Sequence, residues 1–139
     1  MPLEIVTIPC LSDNYAFLAH DAASGATALV DAPEAGPVLD ALKARGWRLS
    51  HVLLTHHHWD HTDGNLALKS ETGCKIIGPR PEADKVPGID EQVGEGDSFK
   101  FGDVEVKVFE TPGHTAGHII YWMPEASVAF VGDVLFNMG

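Results

Sequence analysis

The sequence predicts an α/β domain, and three observations carry that expectation. Through the middle of the chain, short apolar runs alternate with helix-compatible stretches in the order strand, helix, strand, helix, strand. Runs rich in β-branched and apolar residues flank that alternation on both sides. The length, 139 residues, is that of one domain with one hydrophobic core. Hydrophobic residues make up 45% and charged residues 21%, a balance that separates the chain from disordered sequences.

Leu3 to Pro9 (LEIVTIP) reads as a strand, and Ser12-Asp13-Asn14 as a turn. Asn14 to His20 and Ala26 to Asp31 read as two further strands joined around Ser24-Gly25, so that the first three strands form an antiparallel meander. A helix is expected over Pro37 to Arg45. Proline suits its first turn, Gly46 suits the left-handed position after its end, and Val38, Ala41, Leu42 and the aliphatic stem of Arg45 make one stripe. His51 to Thr55 (HVLLT) is a short run of the kind buried on both faces. A second helix is expected from about Gly64 to Thr72, stopping at Gly73, and Cys74 to Gly78 reads as the next strand.

Pro79 to Gly96 contains three prolines and three glycines and reads as a long surface loop. Ser98 to Glu110 reads as a hairpin turning at Gly102-Asp103, with Val104, Val106 and Val108 in period two. Gly117 to Met123 and Ser127 to Val131 are the last expected strands. Residues 134–139 are apolar and carry no capping signal, which is how an interrupted domain reads. Val128, Phe130, Val134, Leu135 and Phe136 are therefore expected near an uncovered apolar surface, with self-association or a missing C-terminal segment as the way it is covered.

Nine Lys and Arg against twenty Asp and Glu give a formal net charge of −11. Such a chain, with no basic run, is a poor partner for nucleic acid or an anionic membrane surface. No stretch reaches the roughly 18–20 apolar residues of a membrane span, and the first residues lack the pattern of a signal peptide. Two cysteines, Cys10 and Cys74, lie far apart and outside any C-x-x-C pattern. Reduced thiols and a cytoplasmic location are expected.

Histidine is the residue used unusually. Of eight, His56, His57, His58 and His61 fall in one cluster and His114 and His118 in another, each just after an expected strand, where a rigid scaffold presents reactive groups. The first cluster spells His-x-His-x-Asp-His. Alternate residues of an extended segment point the same way, so His56 and His58 can reach one metal ion while His57 faces away. Asp60 and His61, at the turn toward the helix, can face a second ion. The mixture of imidazole and carboxylate suits borderline divalent metals, and an incidental histidine-rich loop is the less economical explanation of so dense a string. In Thr111-Pro112-Gly113-His114-Thr115-Ala116-Gly117-His118, His114 would be the third ligand of the first ion. His118 either orients a ligand through a hydrogen bond or packs in the core. Asp133, in Val131-Gly132-Asp133, suits a carboxylate bridging two ions, the alternative being an ordinary turn aspartate at a strand end.

THHHWDH, then GHTAGH, then GD, in that order, resemble the metal-site signature of the metallo-β-lactamase superfamily. The fuller strings Ser12-Asp13-Asn14-Tyr15, LLTHHHWDHTDGN, TPGHTAGHI and VGDVLF are similar to those of glyoxalase II, the hydroxyacylglutathione hydrolases, along essentially the whole chain. The resemblance implies an αββα sandwich, incomplete at the C-terminus, with a dinuclear site at one edge of two sheets. Residues 1–139 would be its single metallo-β-lactamase-type domain, without the C-terminal strands and helices or the helical glutathione-binding domain. It implies His56, His58 and His114 on the first metal, Asp60 and His61 on the second, and Asp133 between them. The metal would be zinc, one or two ions, with iron or manganese possible.

The activity implied is hydrolysis of a glutathione thioester, S-D-lactoylglutathione, to D-lactate and glutathione by a metal-bound hydroxide, in methylglyoxal detoxification. Asp60 would orient that nucleophile or handle its proton. Two other readings compete: a non-catalytic metal-binding fragment or assembly module, and a one-iron oxidoreductase like the persulfide dioxygenases.

Overall fold

Alternate residues of a strand point to opposite faces, so a strand with apolar residues in period two has one face on a core and a continuous apolar run has two. The computed structural model describes residues 3–10, 14–31, 35–55, 65–80, 88–110, 119–124, 128–131 and 134–137. Among these residues the first sheet has six strands, in the order β1 (Leu3–Cys10), β2 (Asn14–Asp21), β3 (Ala26–Val30), β4 (Arg48–Leu53), β5 (Lys75–Pro79) and β6 (Glu91–Val93). The first three are antiparallel, as the meander predicted. From β3 to β6 the pairing is parallel, because helices α1 (Ala35–Arg45) and α2 (Asn65–Thr72) return the chain between β3, β4 and β5. The second sheet is antiparallel throughout. Its order is β11 (Val134–Asn137), β10 (Val128–Val131), β9 (Ile119–Met123), β8 (Val104–Glu110) and β7 (Ser98–Phe101).

Two cores follow from the two faces of the first sheet. Between the sheets, Phe17, Ala28, Val30, Leu53 and Ile77 meet Phe101, Val104, Val106, Val108, Ile119, Tyr121 and Phe130. Against the helices, Leu18, Leu29, Val52 and Ile76 meet Val38, Leu42 and Leu68. The order of layers is thus helix, sheet, sheet, three of the four that the sequence signature implies, and the chain is α/β as expected.

Several details differ from the sequence reading. Helix α1 begins two residues before Pro37, which still lies in its first turn. Its end is a glycine cap. Gly46 takes φ 68°, and the Trp47 N–H donates to the Leu42 carbonyl at 3.0 Å. Arg45 does not close the buried stripe. It is exposed, with its guanidinium 5.6 Å from the centre of the Trp47 ring, and Trp47 stacks on His20 at 4.1 Å. The expected loop from Pro79 to Gly96 contains the short edge strand β6, which owes its form to pairing with β5, Ile77 opposite Glu91, rather than to any pattern of its own.

Residues 134–137 form β11 on β10. Val128 and Phe130 face the inter-sheet core, the latter against the Phe17 ring at 5.6 Å, and not the uncovered side. The outer face of the second sheet is instead an open apolar groove lined by Phe109, Ile120, Trp122 and Ala129. The side chains of Val134, Leu135 and Phe136 lie outside the described residues.

At the end of the sandwich formed by the β2–β3 and β7–β8 turns, Asp21 ties the sheets together. Its carboxylate is buried and accepts from the Ser24 hydroxyl at 2.6 Å, the Ala23 N–H at 3.2 Å and, across the gap between sheets, the Asp103 N–H at 3.1 Å. Gly102 precedes Asp103 with φ 58°, and a Cβ there would overlap the Ser24 hydroxyl, so the close approach requires glycine. The Ser24 hydroxyl, ahead of the two backbone donors, holds Asp21 below the usual carboxylate range. The folded state therefore favours the ionised form. Its contribution is complete above the unfolded value of about 4 and is lost as pH falls through the lowered folded value. Asp21→Asn should remove this part of the acid sensitivity, so that urea midpoints of wild type and variant converge below about pH 4. A constant gap between them down to low pH would contradict the assignment.

Candidate metal centre

The predicted ligands His56, His58, Asp60, His61, His114 and Asp133 lie outside the described residues, as do His57 and His118. What the structure describes is where their segments are rooted. Residues 56–64 leave after Thr55 and return at Asn65, the buried first residue of α2. Residues 111–118 run between the end of β8 and the start of β9, and 132–133 join β10 to β11. These roots meet. The Ile119 N–H, directly after the second histidine segment, donates to the carbonyl of Thr55, directly before the first, at 2.9 Å. Val131, directly before Gly132-Asp133, pairs with Ile120 in the ladder. The three segments that hold the predicted ligands are therefore rooted at one edge, between the middle strands of the two sheets.

The root of the first segment is held by a residue the sequence reading treated only as the end of a strand. Asp31 is fully buried and has φ 63°, a conformation aspartate tolerates better than branched residues and one that gathers at functional edges. Its N–H donates to the Leu53 carbonyl at 2.9 Å. Its carboxylate accepts the Thr55 N–H at 2.9 Å and the Thr55 hydroxyl at 3.0 and 3.2 Å. Thr55 itself is fully buried. The signal available in the sequence was an acidic residue ending an apolar strand just before Ala-Pro, which is also how an ordinary turn aspartate looks.

The chemistry of the donor set fits a borderline divalent ion, because imidazoles and carboxylates supply it and no thiolate is needed. Cys74 is unsuited to join it. It is buried against α2 just before β5, and burial pushes its thiol up from the ordinary range. The two described histidines are occupied elsewhere. His20 Nδ1 is 2.8 Å from the Thr27 hydroxyl, and His51 Nδ1 is 2.9 Å from the Ser50 hydroxyl, with burial holding the His51 ring below the usual histidine range. Among the described residues no group of three or more His, Cys, Asp or Glu is arranged to hold a metal.

Residues 14–139 match the Metallo-beta-lactamase superfamily. The chain belongs to that superfamily. Within it, the chain is 55% identical over its full length to a hydroxyacylglutathione hydrolase of Cereibacter sphaeroides, covering 54% of that protein. It is 54% identical over 99% of its length to one of Rhizobium meliloti, again covering 54% of the relative. The chain thus spans about half the length of these curated relatives. Among solved structures of similar fold, BLEG-1 B3 metallo-beta-lactamase superposes with TM-score 0.83 at 23% identity, over 96% of this chain and 73% of that one. ETHE1 from Myxococcus xanthus gives TM-score 0.73 at 28% identity, over 99% and 56%. The two-sheet metallo-beta-lactamase fold expected from the histidine and aspartate strings is the fold observed.

Asp31 can be tested without any metal. Asp31→Ala leaves the buried Thr55 N–H without its acceptor and puts alanine at a left-handed φ. The expected loss is about 2–4 kcal/mol of unfolding free energy. Asp31→Asn keeps an acceptor and tolerates the backbone, so it should lose less than half as much in the same urea titration. Equal losses would mean that the carboxylate's bonds to Thr55 are not what Asp31 contributes.

Proposed function

We propose that the chain is the metal-binding part of a hydroxyacylglutathione hydrolase of the glyoxalase II type. The thioester of S-D-lactoylglutathione would be cleaved to D-lactate and glutathione in the disposal of methylglyoxal. What carries this reading is identity of 54–55% over 99–100% of the chain with relatives bearing that enzyme name. The common anchoring of the three donor-bearing segments supports it.

Zinc is the ion we assign, in one or two sites, with iron and manganese as chemically acceptable substitutes. Bound there, a divalent ion would lower the pKa of water and draw charge from a carbonyl oxygen. On this reading His56, His58 and His114 hold the first ion, Asp60 and His61 the second, and Asp133 reaches both. Asp60 also orients the attacking water or accepts its proton. The thiolate is a good leaving group, so the residues need supply no strong acid when the carbon–sulfur bond breaks. His57 stays out of the site. Residues 1–139 act as one metallo-β-lactamase-type domain.

The net charge of −11 weighs against nucleic acid and anionic membranes. Among the described residues no helix is long and apolar enough to cross a membrane. We place the protein in the cytoplasm. Self-association, where it occurs, would use the apolar groove of Phe109, Ile120, Trp122 and Ala129.

Zinc titration and a lactoylglutathione assay test the assignment. His58→Ala should weaken zinc by at least about tenfold and abolish turnover, whereas His57→Ala should keep affinity within about twofold. Equal losses would refute the alternation of ligands along residues 56–58. Tight zinc without turnover would leave a metal-binding module, and oxygen uptake with a persulfide would point to the one-iron oxidoreductase. Trp122→Lys should move any oligomer toward monomer in sedimentation, and an unchanged profile would remove the groove from the interface.

A further inference from the structure

The second sheet reaches across the core to the root of the histidine segment at a second point, which the proposed chemistry does not use. The ladder of β4 ends at Leu53, paired with Val30 on one side and Ile77 on the other. Leu54 and Thr55 continue past it and are fully buried, so their peptide groups need partners beyond the residue pairs of the β4 ladder. The Leu54 N–H finds the Ile77 carbonyl at 2.8 Å, and the Thr55 N–H finds the Asp31 carboxylate at 2.9 Å. Both carbonyls are satisfied from β9. The Ile119 N–H takes that of Thr55, and the Tyr121 hydroxyl takes that of Leu54 at 2.6 Å, with the Ile77 carbonyl at 3.3 Å as a second acceptor.

Tyr121 is itself fully buried, and its ring is held edge-on by Phe99 at 6.1 Å. Ile119 and Tyr121 share the inward face of β9 and begin directly after the second histidine segment. Two consecutive carbonyls ahead of His56 are thus fixed by two alternate residues behind His118.

We propose that Tyr121 is a positioning residue for the metal centre. Its hydroxyl fixes the Leu54 carbonyl, and with it the point from which residues 56–64 depart, relative to the strand that carries the other histidine segment. The part of this inference that concerns the metal rests on the reading given under the proposed function. The part that concerns the root of the segment does not. Phenylalanine fits the same space but leaves a buried carbonyl without its donor, so the two roots lose one of the two hydrogen bonds that join them among the described residues.

The experiment compares Tyr121→Phe with Met123→Ala in the full chain. Met123 is fully buried on the same strand and face, two residues further on, and its truncation opens a cavity that destabilises the fold without touching the root. The first readout is amide hydrogen exchange at Thr55 and Ile119 relative to Leu29 in β3. Tyr121→Phe should raise that ratio about tenfold, while Met123→Ala leaves it within about twofold. The second readout is cobalt(II) affinity. It should fall about tenfold in Tyr121→Phe and stay within about twofold in Met123→Ala. An unchanged exchange ratio in Tyr121→Phe overturns the proposal, as does the same cobalt loss in both variants. If the wild-type chain binds no cobalt, the metal reading falls, and the exchange ratio alone decides the role of Tyr121.

Discussion

A chain that runs on from the paired stretch of its strand into a dry core must have each peptide group bonded individually, and this constraint governs the edge where the candidate ligand segments are rooted. Leaving even one such group unpaired costs about 1–3 kcal/mol. Leu54 and Thr55 meet the constraint with four partners from four places: the Ile77 carbonyl of β5, the carboxylate of Asp31, and the backbone and a side chain of β9. Burial of Tyr121 raises its phenol well above the ordinary tyrosine range, ahead of any effect of Asp31, so at neutral pH the hydroxyl remains a donor. The left-handed backbone of Asp31 belongs to the same solution. It turns the chain at the end of β3 so that one residue contacts the ends of two strands.

The far end of the sandwich solves a different problem with similar means. There the buried carboxylate of Asp21 receives a hydroxyl and two backbone N–H groups, one of them from the opposite sheet. The two sheets are thus joined by polar contacts at both ends and by apolar packing between them. Hydrophobic burial sets their separation, and the directed hydrogen bonds set how one sheet is placed along the other.

Strands such as β8 were legible because one face is buried and the alternation survives in the sequence, as in Val104, Val106 and Val108, and strands such as β3 and β5 as short apolar runs buried on both faces. The helices were legible from glycine at their ends. Strand β6 was not, since three residues with one buried side chain carry no period. The inward face of β10 was misread because VAFV is apolar on both faces, and only pairing with β9 decides which residues turn inward. The candidate ligands were conspicuous because so many donors are crowded into six residues. Asp31 and Tyr121 were not, because a single polar atom at a strand end or in a core becomes meaningful only when its partner, far away in the chain, is known. That partner is a backbone carbonyl or N–H, which has no signature in the side-chain sequence.

The bond from Tyr121 to Leu54 joins residues 67 positions apart. Closing a loop of that length costs entropy that local contacts do not repay, so such contacts form after hairpins and helices have already assembled. The edge that roots the histidine segments is therefore expected to close late, when the second sheet packs on the first. In small zinc-binding modules the ion organises an otherwise unfolded chain. If the segments rooted on that edge bind an ion as proposed, the order would be reversed, with the ion captured by a scaffold already closed by its own hydrogen bonds and apolar packing.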